Sequence, residues 1–288
     1  MGIKKENRGI LSKSLSNGKG VDRRIMTELD ANKKAEELLK GAYDLHVHSS
    51  PSVFPRELDG FQLIREADAA GMAGVMLKSH YESTALRAEL INRYSGCKAK
   101  AYGGLCLNCP AGGLNVYAVK NALRAGAKIV WMPTRDAKNS LVFGNMEGDF
   151  FDRRGITILA TGHISPEESL ILCREGRKRG VNMILTHPEF PRTRIGRDDQ
   201  AELAKLGVVI EKNWFNLAQK SVMPEEMAET IRTVGSGHVY LATDRGQKGA
   251  PTPVSELKRF IAVMLTCGIA EAQIRDMVQK VPEEMVCR

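Results

Sequence analysis

Ala42-Tyr43-Asp44-Leu45-His46-Val47-His48 is the stretch from which the fold of this chain can be read. Its apolar run reads as a β-strand, and residues two apart on a strand share one face. Two imidazoles held together on a rigid strand suit a divalent transition metal, zinc first. The same spacing also occurs in pairs of solvated or core-satisfied histidines, so His46 and His48 alone leave the matter open.

Working outward, the chain repeats one unit. Apolar runs rich in β-branched residues recur at 43–47, 73–77, 101–107, 128–132, 156–160, 182–185, 208–210 and 239–242. Their starts lie about 25 to 32 residues apart, the length of a strand, a helix and two short loops. The runs are apolar throughout rather than alternating, as expected of parallel strands covered by helices. Gly71, Gly126, Gly155, Gly180 and Gly207 each stand where a helix should stop before the next strand. Ser165-Pro166-Glu167-Glu168 and Thr252-Pro253 read as helix openings, the first as a capping box. Eight such units predict an α/β protein, a (β/α)8 TIM barrel. An open doubly wound sheet would need a glycine-rich turn after its first strand, and none is present. The domain reading is a basic N-terminal extension over 1–40, with a short helix at 25–39, and a barrel over 41–288 that ends in a helix at 270–279.

Composition sets the function classes. The chain has 288 residues, a hydrophobic content of 43% and six cysteines. It has no apolar run near the roughly 18 residues of a membrane span and no signal-like start, so a cytoplasmic protein with reduced thiols is expected. Much of the net charge of +8 lies before residue 41, in a segment without interleaved aromatics. That reads as a solvated arm rather than a nucleic-acid or membrane contact. The expected partner is a small molecule, with an anionic one compatible; homo-oligomer formation stays open.

A barrel enzyme builds its site at the carboxyl ends of its strands. Here those ends carry His46 and His48, Lys78-Ser79-His80, Cys106 to Cys109, Met132-Pro133-Thr134, Thr161-Gly162-His163, Thr186-His187, Glu211-Lys212-Asn213 and Thr243-Asp244. Five of the six histidines fall there; His238 lies at an amino end. With an HxH on strand one, a histidine after strand five, another at strand six and an aspartate at strand eight, the chain resembles the amidohydrolase superfamily of metal-dependent barrels. The local text looks most like a little-characterised amidohydrolase-like branch.

The resemblance implies metal ligation by His46, His48 and Asp244, with His163 and His187 as further ligands or partners. A metal with an open position lowers the pKa of bound water from about 15.7 towards 7, and Asp244 would take the proton and pass it to the leaving group. Two-metal members carry a bridging lysine or acid at strand four, where this chain reads Trp131-Met132-Pro133-Thr134. One ion is therefore expected rather than two, although Glu211 or Lys78 could act as a bridge. The metal is expected to be zinc, with manganese, iron or nickel also accepted. Lys78 and His187 are further catalytic candidates, and His80, Arg56 and Glu211 are candidate substrate contacts. Glu189, Arg192 and Arg245 are weaker ones. The implied activity is hydrolysis of a C–N or C–O bond. The alternatives are decarboxylation of a small acid on the same barrel and a non-catalytic binding protein.

Overall fold

Valine, isoleucine and leucine in short runs favour extended backbone, and runs buried on both faces must pair inside a sheet. The computed structural model describes residues 26–137 and 158–287. Its eight strands are β1 (Tyr43–Val47), β2 (Gly74–Leu77), β3 (Lys100–Cys106), β4 (Ile129–Trp131), β5 (Ile158–Ala160), β6 (Asn182–Leu185), β7 (Val209–Asn213) and β8 (Val239–Ala242). They form one sheet in sequence order, each parallel to the next. The sheet closes on itself: the Asp244 N–H donates to the His46 carbonyl and the His48 N–H to the Arg245 carbonyl, at 2.9 and 2.8 Å. This is the predicted (β/α)8 barrel, and its closing seam runs through three of the candidate metal ligands.

The described helices are α1 (Glu28–Leu39), α2 (Gly60–Ala69), α3 (Ala85–Tyr94), α4 (Val116–Arg124), α5 (Pro166–Lys178), α6 (Arg197–Lys205), α7 (Trp214–Ala218), α8 (Pro224–Val234), α9 (Pro253–Thr266), α10 (Glu271–Arg275) and α11 (Val281–Val286). None is long and apolar enough to cross a membrane among the described residues. Capping is as read from the sequence at Ser165, whose hydroxyl accepts from the Glu168 N–H while Glu168 accepts from the Ser165 N–H. Gly155 lies outside the described residues, as does most of the arm at 1–40. The part of the arm that is described, α1, is capped by Thr27 and buries Ala31, Ala35 and Leu38, packing against α9.

Two elements differ from expectation. The seventh strand runs three residues further than its apolar text, because Glu211, Lys212 and Asn213 are buried in polar networks rather than ending the strand. The last helix is interrupted by a widened turn over Asp276–Lys280, in which the Val281 N–H reaches the Asp276 carbonyl. Pro282, with no N–H to give, then stands at the start of α11, where a helix tolerates it.

The core has two parts. Met76, Trp131, Ile184 and Tyr240 belong to the cluster that fills the barrel, and Val281, Met285 and Val286 of the C-terminal segment join it. Leu63, Ile64, Met227, Phe260 and Ile261 lie in the cluster between strands and helices. At the closing seam a Cβ on Gly246 would stand 1.8 Å from the His48 carbonyl oxygen, at a φ of +128°. Gly246→Ala is therefore expected to cost about 3 kcal/mol. The check is the denaturant midpoint; a wild-type value would contradict this account of the seam.

Candidate metal centre

At the mouth of the barrel β1 delivers His46 and His48 side by side, their ring centroids 5.5 Å apart. Asp244, just past β8, directs Oδ1 towards both, 3.2 Å from His46 Nε2 and 3.3 Å from His48 Nε2. The far nitrogen of each ring is fixed. His46 Nδ1 stands 2.9 Å from Glu211 Oε1, and His48 Nδ1 stands 2.9 Å from the Lys78 carbonyl. A carbonyl only accepts, so His48 carries its proton on Nδ1 and leaves Nε2 with a free lone pair. Carboxylate and carbonyl partners of this kind set the tautomer and basicity of metal-ligating histidines. The three facing donor atoms lie within 4.8 Å of one another, and their chemistry, two imidazole nitrogens and one carboxylate oxygen, fits a divalent transition metal.

The support beneath is polar and buried. Glu211, fully buried, accepts from the Tyr240 hydroxyl and the Asn213 amide besides meeting His46. Asp44 accepts from the backbone N–H groups of His46 and Thr243 and from the Thr243 hydroxyl, tying β1 to β8 directly below the site. Burial pushes the Asp44 carboxyl up to about 7 despite those donors. Backbone strain is also concentrated here: Asp244 and His187 have φ of +52° and +28°. Non-glycine residues seldom adopt such angles unless their surroundings impose them, and they gather at functional sites.

The remaining predicted residues converge on a cavity of about 380 Å³. His163 and His187 share its lining, with ring centroids 4.9 Å apart, and His187 stacks 6.1 Å from His46. They are not part of the compact three-residue group. Lys78 Nζ reaches His46 Nε2 at 2.9 Å, and His80 stands beside His48 with Nδ1 on the Thr134 hydroxyl. Arg56 and Arg192 also line the cavity. Glu211 does not. Its carboxylate is committed to His46 and Tyr240 beneath the three facing donors, rather than turned to the cavity where a substrate contact is expected. Glu189 and Arg245 are likewise engaged elsewhere, with Lys212 and with Glu256. Arg135, Phe190, Phe215 and Gln247 line the cavity without having been singled out. Arg135 directly follows Trp131-Met132-Pro133-Thr134 at the strand-four end, and that position is its signal in the sequence.

Electrostatics separate the histidines. Burial would lower His46, but the Asp244 and Glu211 carboxylates outweigh both burial and Lys78 and lift it to about 9. Burial pulls His48 and His187 down to about 4 and lowers His163 and His80 as well. At neutral pH the group thus holds one proton on His46 Nε2, directed at Asp244 Oδ1, while His48 is neutral. A metal ion must expel that proton. Affinity is therefore expected to rise about tenfold per pH unit through the neutral range and to level off near pH 9. Competition with a chelating dye at several pH values checks this; a flat profile between pH 6 and 8 would contradict it.

A family model described as "Family of unknown function (DUF6282)" matches residues 41–159 and 152–211, more than half of the chain. The chain belongs to the DUF6282 family. The DUF6282 match spans β1 to the middle of β7 and holds His46, His48, Lys78, His80, His163 and His187, but stops before Asp244. No curated protein matches the chain. Among solved structures, this DUF6282 chain is similar to an amidohydrolase from Burkholderia multivorans with bound HEPES (12% identity, 85% of this chain and 99% of that one, TM-score 0.55). It is also similar to the probable dipeptidase PvdM of Pseudomonas aeruginosa (10%, 89% and 98%, TM-score 0.54). A third is a probable 2-pyrone-4,6-dicarboxylic acid hydrolase of Acinetobacter baumannii with citric acid bound (10%, 86% and 100%, TM-score 0.51). At such identity the likeness shows the fold alone, a (β/α)8 barrel shared with these proteins.

Proposed function

We propose that this chain is a metal-dependent hydrolase that cleaves a C–N or C–O bond of a small polar substrate, such as an amide, a cyclic amide or a lactone. The observation that carries the reading is the convergence of His46 Nε2, His48 Nε2 and Asp244 Oδ1, with both imidazoles tied down from behind, at the mouth of a cavity in a closed barrel. A divalent ion bound there would supply Lewis acidity, polarising a carbonyl and making water nucleophilic near neutral pH. One ion is favoured over two, since Glu211 is committed beneath His46 and among the described residues one compact donor group is present. Zinc suits the donor set, and manganese, iron or nickel would also be held. The six free cysteines support a reducing compartment such as the cytoplasm.

The chain's own groups then divide the work. Asp244 is held well below the usual carboxylate range: burial opposes this, but the protonated His46 imidazole beside it prevails. It therefore stays ionised and serves as the proton acceptor beside both rings, later returning the proton to the leaving nitrogen or oxygen. His187 and His163 are uncharged at neutral pH, so they can complete the ligation or hydrogen-bond the substrate carbonyl without repelling a cation. Lys78, with Nζ at the metal-facing edge of His46, is placed to steady negative charge as it develops. The test is an assay of zinc- and manganese-loaded protein on panels of amides, cyclic amides and lactones against aromatic carboxylates. Hydrolysis that disappears on chelation supports the reading; carbon dioxide release with no hydrolysis would replace it with decarboxylation.

A further inference from the structure

The outer half of the cavity is built differently from the metal end. Arg56 lies in the loop after β1, and a backbone bridge pairs it with Gln247 in the loop after β8. The neighbouring Glu57 N–H donates to the Gly246 carbonyl, so the two loops are stitched together at the cavity wall. Arg135 enters from the end of β4, its guanidinium lying 4.2 Å above the ring of Phe54. These two arginines line one cavity, and no described carboxylate pairs with either in an ion bridge. Arg56 Nε is buried and has no hydrogen-bond partner. Gln247 Oε1 is likewise buried without a partner, while its Nε2 donates to the Asp244 carbonyl at 3.0 Å and so fixes the amide. The cost of leaving such groups unpaired falls on the folded protein unless a ligand meets them.

Charge points the same way. Burial lowers the Arg56 guanidinium, and Arg135 lowers it further, with Asp244 giving partial relief. Arg56 is thus partly desolvated and shares the cavity with the like charge of the more exposed Arg135. Planar guanidiniums match the oxygens of a carboxylate or phosphate in bidentate fashion. Phe190 and Phe215 line the same cavity and offer apolar surface to the body of a ligand.

We propose that the cavity takes a small organic acid whose oxyanion group, distal to the bond that reacts, is clamped by Arg56 and Arg135 beside a hydrogen-bond donor received by Gln247 Oε1. This rests on the reading of the cavity as the reaction chamber and names its substrate class. A carboxylate and a phosphate monoester share the chemistry. A donor next to the anion, as in an α-acylamino or α-hydroxy acid, satisfies the glutamine. The cavity volume of about 380 Å³ sets the size at roughly one ring or a short chain.

The test is calorimetric titration of the full-length protein, metal-loaded and metal-stripped, with three probes: hippurate, its uncharged amide hippuramide, and inorganic phosphate. Hippurate carries a carboxylate, an adjacent N–H and a ring. The expected result is that hippurate binds at least about tenfold more tightly than hippuramide. Arg56→Gln and Arg135→Gln should each erase most of that preference by weakening hippurate far more than hippuramide. Phosphate should compete for the same place; if phosphate binds more tightly than hippurate, the natural group is a phosphate ester, and if less, a carboxylate. Because Arg135 is exposed, its substitution spares the fold and decides the matter should the Arg56 variant not fold. Equal binding of hippurate and hippuramide, no hippurate binding, or a preference untouched by Arg135→Gln would overturn the proposal. Arginine-dependent anion binding in a protein that takes no metal would uphold this inference and remove the hydrolase reading, so the two fail separately.

Discussion

Asp244→Asn is expected to leave the fold intact, to weaken metal binding severely and to reduce turnover by about a thousandfold or more, equivalent to roughly 4 kcal/mol or more of lost transition-state stabilisation. The substitution is informative because asparagine tolerates the left-handed backbone at this position, φ +52°, as readily as aspartate does. It keeps the shape and the backbone seam, and removes only the charge. That charge makes Asp244 the anionic member of the three-residue group, next to both imidazoles, and in the proposed reaction it is also the proton acceptor. Thermal melting, metal titration and turnover on whichever substrate the assay panels identify would be measured together. A variant that melts normally, binds metal normally and turns over at the wild-type rate would remove Asp244 from the mechanism.

Glu211→Gln should have the next largest effect, a fall in metal affinity of about 10- to 100-fold without direct contact with the ion. Glu211 is fully buried, and burial would raise its carboxyl. The adjoining His46 nevertheless holds it down to about 2. The buried negative charge therefore exists because the imidazole stabilises it, and the coupling is mutual. Glutamine can still accept from His46 Nδ1, so the ring stays in place, but the imidazole loses basicity. Tyr240→Phe removes one hydrogen bond to Glu211 and keeps the charge, so it should weaken metal binding much less. If both variants bind metal equally well, Glu211 has no electrostatic role behind His46.

The barrel was legible because strand and helix alternate with few interruptions and because polar residues punctuate each apolar run at its carboxyl end. His46, His48, Lys78, His80, His163 and His187 are local signals of that kind: each ends or follows an apolar run, and each lines the same cavity. What was not legible depends on pairs far apart in the chain. Asp44 meets Thr243 and Glu211 meets His46 only after β1 closes against β8. Glu211 therefore reads as a substrate contact, whereas its carboxylate stands behind His46. Lys212, next to it on β7, is fully buried against Glu189 and Gln200, which is why an apolar-run criterion ended that strand too early. Arg135 and Gln247 gain meaning from a shared wall that no single segment displays.

His46, His48 and Asp244 are proposed to hold a divalent ion. Elemental analysis of the protein purified without added metal, alongside the His46→Ala, His48→Ala double variant, tests it most directly. The account predicts close to one transition-metal ion per chain in the wild type and almost none in the variant. Wild-type protein that stays free of metal even after equilibration with zinc or manganese, or a double variant that retains the same metal content, would contradict it.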